Sequence, residues 1–369
     1  MRAICHIGHH KTGTTSLQAF LAQNSHELLK AGTLYPWVEN EGAANAVAKA
    51  LRGRDDDDEL SINIREAHNA LAFRMLADTL PAWKVPGYHR MLPHSNQMMR
   101  AIELQIRELQ PETTTLCSEV MSHFGKIAPD LITRLRTKAL RSVSDISVWC
   151  TLRRPDEQLV SWHGQQLRFG QAPAPLSDPE RGLKLDWLHV DYRGVIEPWA
   201  QLIPEAKLIL RPYDEVKAEG GSIDDFFKHS KIKRPAKLQP AQHLNVGFQP
   251  AVIILLRKAN KQLPKPVAAQ LASHMTALTR GMELFGTSQV EFLGEASRKK
   301  LVEHFAPIHA WLSQVSGRKA FFADIDKMAQ CNPRSEAEAL QQFLDQLTPD
   351  RLQRLPSKEL RDFLAQQHA

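Results

Sequence analysis

The sequence predicts an α/β fold built on a five-stranded parallel sheet with helices on both faces, helical insertions and a helical C-terminal tail. Two observations predict it. Short apolar, β-branched runs alternate with segments of helical periodicity from the N-terminus as far as Asp214. Two of those runs also end in residues suited to phosphate, a glycine-bounded loop after the first and an arginine after the fourth.

Each element has its own signal. The first strand, 4–7, is the apolar run Ile4-Cys5-His6-Ile7, and it enters the loop Gly8-His9-His10-Lys11-Thr12-Gly13. A helix opening on Thr14, Thr15 and Ser16 follows, with Leu17, Phe20, Leu21, Leu28 and Leu29 at helical spacing and Gly32 as its stop. The second strand is brief, at 33–36. Helices are expected over 43–51 and 62–80, separated by a solvated charged loop of Arg54 with Asp55, Asp56, Asp57 and Asp58. Met98, Ile102, Ile106 and Leu109 mark another helix, 113–117 a third strand, and Pro129 opens a further helix. The fourth strand, 144–152, ends at Arg153, and the fifth, 207–210, precedes Arg211-Pro212-Tyr213-Asp214. Right-handed winding of these units puts ligands at the carboxyl ends of the strands.

Composition narrows the function. The 369 residues suffice for a full core, and 43% hydrophobic residues is ordinary for a globular protein. No apolar run approaches the roughly 20 residues of a membrane span, and the chain starts directly on its first strand, so a soluble cytoplasmic protein without a leader is expected. Cys5, Cys117 and Cys150 fall in strands as small core hydrophobes, which suits a reducing compartment. The net charge of +6 is spread out, without a nucleic-acid signature, so no nucleic-acid partner is expected. A mild positive field favours a polyanionic ligand. The 16 histidines include no H-E-x-x-H pair, and no metal site is expected.

The first loop nearly matches G-x-x-x-x-G-K-[ST], but Thr14 occupies the lysine position and Lys11 lies inside the loop. Such a loop can hold a 5′-phosphate while lacking the usual grip on a triphosphate. After the fourth strand, Arg153, Pro155 and Ser161 are spaced as an arginine at a strand end, a proline two residues on and a serine eight residues on. Proline suits a first helical turn, and an arginine fork with a hydroxyl can receive a dianion.

Together these motifs resemble the sulfotransferases that use 3′-phosphoadenosine 5′-phosphosulfate (PAPS), releasing 3′-phosphoadenosine 5′-phosphate (PAP). The resemblance implies a P-loop NTPase-like fold. It implies that Lys11, Thr12, Gly13, Thr14, Thr15 and Ser16 hold the 5′-phosphosulfate, and that Arg153 and Ser161 hold the 3′-phosphate. Ser16 stands where cytosolic members carry an adenine-stacking aromatic, and their glycine- and lysine-rich closing segment is not recognisable. Leu244-Asn245-Val246-Gly247-Phe248 is a candidate replacement for that segment. Tyr213 is the candidate for approaching the adenine, with a buried tyrosine of satisfied hydroxyl as the alternative.

Sulfuryl transfer needs a base and a cation on the leaving oxygen. Lys11 fits the second role. Glu119, just past the third strand, is the candidate base, as in carbohydrate-acting members, and His10 is the reserve. The acceptor expected is a hydroxyl, less readily an amine, on a carbohydrate, lipid-linked glycan or small metabolite. It would be shaped by 37–110 and 164–195. Two alternatives stay open: a P-loop kinase or NTPase, and a non-catalytic nucleotide-binding protein.

The expected organisation is a sulfotransferase domain over 1–330, with the helical insertion at about 37–110, and a helical extension over 331–369. Ser335 and Glu338 form a capping-box pattern, and Thr348-Pro349 and Ser357 open two more short helices. Packing on the domain, homo-oligomerisation and contact with a partner are all open to this tail.

Overall fold

The computed structural model describes residues 1–52, 60–240 and 247–368. The expected charged loop at Asp55 to Asp58, and the Leu244 to Val246 part of the expected closing segment, lie outside the described residues. Two compact units emerge. One comprises residues 1–153, 191–244 and 308–321, the other 154–190, 245–307 and 322–369.

The first unit holds the sheet. Its strands are β1 (Arg2–His6), β2 (Thr33–Leu34), β3 (Thr113–Cys117), β4 (Asp145–Leu152) and β5 (Lys207–Pro212). They run in the order β2-β3-β1-β4-β5 and every pairing is parallel. β1 is therefore central, with His6 level with Cys117 on one side and Trp149 on the other. The expected five-stranded parallel α/β fold is present.

Alternation of side chains explains how both faces become core. Ile4, Cys117 and Trp149 share one face with Leu17, Phe20 and Leu21 of the helix Thr14–Gln23 and Phe226 and Phe227 of the helix Ser222–Ser230. Ala3, Cys5, Leu116, Val148 and Cys150 point the other way and are equally buried. Burial of both sets is what a fully covered parallel sheet demands. Each such leucine or phenylalanine contributes about 2 kcal/mol, so Leu17→Ala would cost about 3 kcal/mol and loosen the helix that follows the first loop.

Two expected helices are each realised as a pair, the first dividing at Asn24 into Thr14–Gln23 and Ser25–Lys30. The periodicity over 62–80 is realised as two helices, Ile62–Arg65 and Ala67–Thr79, because Glu66 leaves the helical region at φ −120° and ψ 42°. Glu66 thereby becomes the N-cap of the second helix, and Asn69 lies in its first turn.

In the second unit Pro155 opens the helix Pro155–Arg168 at its first turn, as its lack of an N–H favours. This helix packs with Pro250–Gln262, which in turn contacts Lys265–Leu278 and Glu336–Asp345. Arg298 is buried there between Glu291 and Asp156, and also donates to the Met328 carbonyl. The capping box is formed as expected: Ser335 Oγ accepts from the Glu338 amide, and the Glu338 carboxylate accepts from the Ser335 amide at 2.7 Å. Thr348 and Ser357 likewise cap Pro349–Gln353 and Lys358–Ala365. No helix among the described residues is long and apolar enough to cross a membrane.

Candidate active site

Parallel pairing puts the carboxyl ends of all strands along one edge. Four neighbouring strands there deliver residues singled out from sequence. Glu119 follows β3, the Gly8–Ser16 loop follows β1, Arg153 follows β4 and Tyr213 follows β5. The chain winds away from β1 in opposite directions, so strand order reverses between β1 and β4. Open parallel sheets place their ligand crevice at such a point.

The loop after β1 owes its shape to three left-handed backbones: Gly8 at φ 61°, Lys11 at φ 65° and Gly13 at φ 85°. Gly8 is required for space as well. A Cβ there would lie 2.8 Å from Thr14 Oγ1 and 2.9 Å from the Glu119 Cα. Lys11 has a Cβ and still adopts this conformation, a local cost that clusters at functional sites. Thr12 and Thr14 turn inward, donating their hydroxyls to the His9 carbonyl at 2.7 and 3.4 Å. Ser222 Oγ donates to the Gly13 carbonyl at 2.9 Å, tying the loop to the helix Ser222–Ser230.

Gly13 is also the N-cap of Thr14–Gln23. That terminus has no side-chain cap and no acidic residue in its first turn. A helix start with this character suits an anion, through the orientation of its amides and the positive end of its dipole. Thr15 and Ser16 lie in that first turn, partly exposed.

Glu119 sits across Gly8 from this helix, partly buried at the start of the turn Glu119–Met121. Its two carboxylate oxygens accept from different amides, Oε2 from Gln18 at 2.5 Å and Oε1 from Asn69 at 3.2 Å. Burial, with the negative charge of Glu66 added, raises its pKa to about 7 despite those hydrogen bonds. A carboxyl group in this range takes up and releases protons at neutral pH.

His10 is different. Its Nε2 lies 3.0 Å from Nε2 of His123, so one ring donates and the other accepts. Burial, reinforced by His123, His9 and Lys11, drives His10 well below the usual imidazole range, and burial takes His123 to about 3. Two neutral rings result, and such a histidine is a weak base.

Arg153 and Arg154 separate cleanly. Arg154 is buried and bound to Asp156, Glu157 and Asp324 within the second unit. Arg153 is partly exposed, and its guanidinium lies 5.4 Å from the centre of the Tyr213 ring. Its carbonyl accepts from the Tyr192 hydroxyl at 2.7 Å, and the Tyr192 ring stands edge-on to His9 at 5.2 Å. Tyr192 thus connects the residue after β4 to the loop after β1.

Ser161 lies in the helix Pro155–Arg168 of the second unit, whereas the residues gathered at the strand edge belong to the first. Sequence reasoning missed Gln18, Glu66, Asn69, His123 and Tyr192. Gln18 had a detectable signal, because it stands one helical turn beyond Thr14 and shares its face. The others come from segments whose approach to the loop is a matter of tertiary packing.

No protein-family model matches the chain. An uncharacterized protein of Archaeoglobus fulgidus is 25% identical over 130 residues, 35% of this chain, and the match spans 34% of that protein's length. A crystal structure of a sulfotransferase from Alicyclobacillus acidocaldarius is similar over 89% of this chain and 98% of its own, with 14% identity and a TM-score of 0.38. At that score the likeness carries no functional weight, and any activity has to be read from the chain's own residues.

Proposed function

We propose that the chain is a sulfotransferase that moves the sulfuryl group of PAPS to a hydroxyl of a carbohydrate, lipid-linked glycan or small metabolite. One observation supports this most. The lysine-bearing loop and Arg153 end adjacent strands at the point of strand reversal, with Glu119 on the other side of the loop against Gly8. A cradle too tight for a Cβ at Gly8, followed by an uncapped helix start without acidic residues, fits a 5′-phosphate.

PAPS supplies an activated sulfur whose bond to the 5′-phosphate oxygen breaks as the acceptor oxygen bonds to it. Glu119 takes the acceptor's proton. Lys11 faces the negative charge that gathers on the departing phosphate oxygen, an interaction stronger in the transition state than before it. Amides of Thr12, Gly13, Thr14, Thr15 and Ser16 hold the 5′-phosphate. Arg153 holds the 3′-phosphate, with Ser161 proposed to assist from sequence spacing alone. Tyr213, beside Arg153, borders the adenine. The missing lysine after Gly13 disfavours a triphosphate-dependent kinase.

Calorimetry with PAP, ADP and ATP in the absence of magnesium tests this. PAP is expected to bind most tightly. Preference for ATP, or binding that needs magnesium, would favour the kinase. Failure of all three to bind would remove the nucleotide site altogether.

A further inference from the structure

We propose that Glu66 and Asn69 are positioning residues for Glu119: one side-chain amide ties the two carboxylates together, and Glu66 keeps a second negative charge beside the proton acceptor. This rests on Glu119 acting as the base, and it concerns residues outside the loop and arginine motifs.

Asn69 is buried and its amide is fully committed. Nδ2 donates to Glu66 Oε2 at 3.0 Å and to Glu119 Oε1 at 3.2 Å. Oδ1 accepts from Ser118 Oγ at 2.7 Å and from Gln18 Nε2 at 3.3 Å. The reverse orientation would aim Oδ1 at two carboxylates and Nδ2 at another donor, so only one amide orientation satisfies the network. Gln18 Nε2 closes the circle on Glu119 Oε2. Both oxygens of Glu119 are thereby held by amides on different helices, which fixes the plane of the carboxylate.

Glu66 and Asn69 stand three residues apart, the spacing at which side chains along one helix face meet. With Glu66 as N-cap, its side chain reaches Asn69 three residues on. Arg65 offsets part of the negative charge of the two carboxylates, and other groups facing the pair are held neutral. Arg65 lies 3.7 Å from Glu66. Tyr35 and Cys117 are held neutral, primarily by burial and also by the charge of Glu119, and burial pushes Tyr88 up to about 12. The loop contributes uncharged Gly8 at the closest approach. Glu66 raises the proton affinity of Glu119, whereas the Asn69 amide, which favours the charged form, lowers it.

These opposing effects define the test. In the full-length protein, the Glu119 side-chain carboxyl is titrated by carbon-13 NMR, with Glu119→Gln used to assign the signal. Glu66→Gln is expected to lower its midpoint by about one pH unit. Asn69→Ala should raise the midpoint, and Glu66→Asp should leave it close to the parent value. The acid limb of the kcat/KM profile should follow the same order, with donor KM unchanged. Midpoints unmoved in both Glu66→Gln and Asn69→Ala, in proteins whose circular dichroism matches the parent, would overturn the proposal. Shifted midpoints in a protein that transfers no sulfuryl group would uphold the pair and reject the sulfotransferase assignment.

Discussion

The Tyr192 hydroxyl donates to the Arg153 carbonyl at 2.7 Å while the ring of the same residue, edge-on to His9, braces the loop after β1. One buried side chain therefore fixes the ends of two adjacent strands. Tyr192→Phe keeps the ring and removes the donor. It should destabilise the protein by about 1 kcal/mol, the net worth of an ordinary hydrogen bond. PAP binding should weaken as the backbone at Arg153 loosens. Calorimetry that found both quantities unchanged would show that the contact does not set the position of Arg153.

The two arginines in sequence should respond oppositely. Arg153→Ala should cost less stability than Arg154→Ala and weaken PAP far more than its 3′-dephosphorylated form. Arg154→Ala strands Asp156 in a buried ion network and should cost about 3–5 kcal/mol in stability. Equal weakening of both nucleotides by Arg153→Ala would reduce that residue to a structural role.

Lys11 is tested by Lys11→Ala. Turnover should fall by about 10²–10³-fold, the usual cost of removing a donor aimed at developing charge. The fold should persist, because φ 65° at this position strains alanine no more than lysine. Unchanged turnover would take Lys11 out of the chemistry.

Gly8 and Gly170 separate space from backbone conformation. Both have positive φ, 61° and 73°, but a Cβ at Gly170 meets nothing within 4 Å. Gly170→Ala should therefore cost about 1–2 kcal/mol, the conformational penalty alone. Gly8→Ala adds the clash with Thr14 and Glu119 and should cost clearly more, with activity lost as well. Equal losses in urea unfolding would mean that the loop relaxes around the methyl group.

Stability should fall on acidification. Burial lowers His6, His89 and His163 to about 4, and His68 and His123 to about 3, against 6.5 for the free side chain. Below pH 6.5 the unfolded chain takes up protons that the folded rings refuse, so stability is complete above 6.5 and declines as pH falls through the window toward about 3. Glu119 has the opposite sign. Its pKa of about 7 lies above the ordinary 4.5, so its contribution is complete below 4.5 and lost as pH rises through 7. Six depressed histidines, His10 among them, against one raised glutamate predict a lower urea midpoint at pH 5 than at pH 7. A flat profile would contradict the burial of these rings.

Local chemistry made much of this molecule legible from sequence. Alternating runs located all five strands, with the β1 loop, Arg153 and Tyr213 at strand ends, because a strand's end is fixed by adjacent residues. The capping box and the two tail caps were equally readable, since their partners lie three residues apart. The break at Glu66 was not, because the apolar periodicity on either side continues through it.

By itself the sequence determined the parallel α/β class and set the glycine-bounded loop and Glu119 just past strand ends, carried by short-range pattern. Tertiary structure alone decided strand order, and with it that β3, β1, β4 and β5 present their ends side by side. It also decided that Asn69, 50 residues before Glu119, would hold its carboxylate. Strand pairing and side-chain packing join residues through space, and a linear pattern does not encode which distant segment fills the second half of a hydrogen bond.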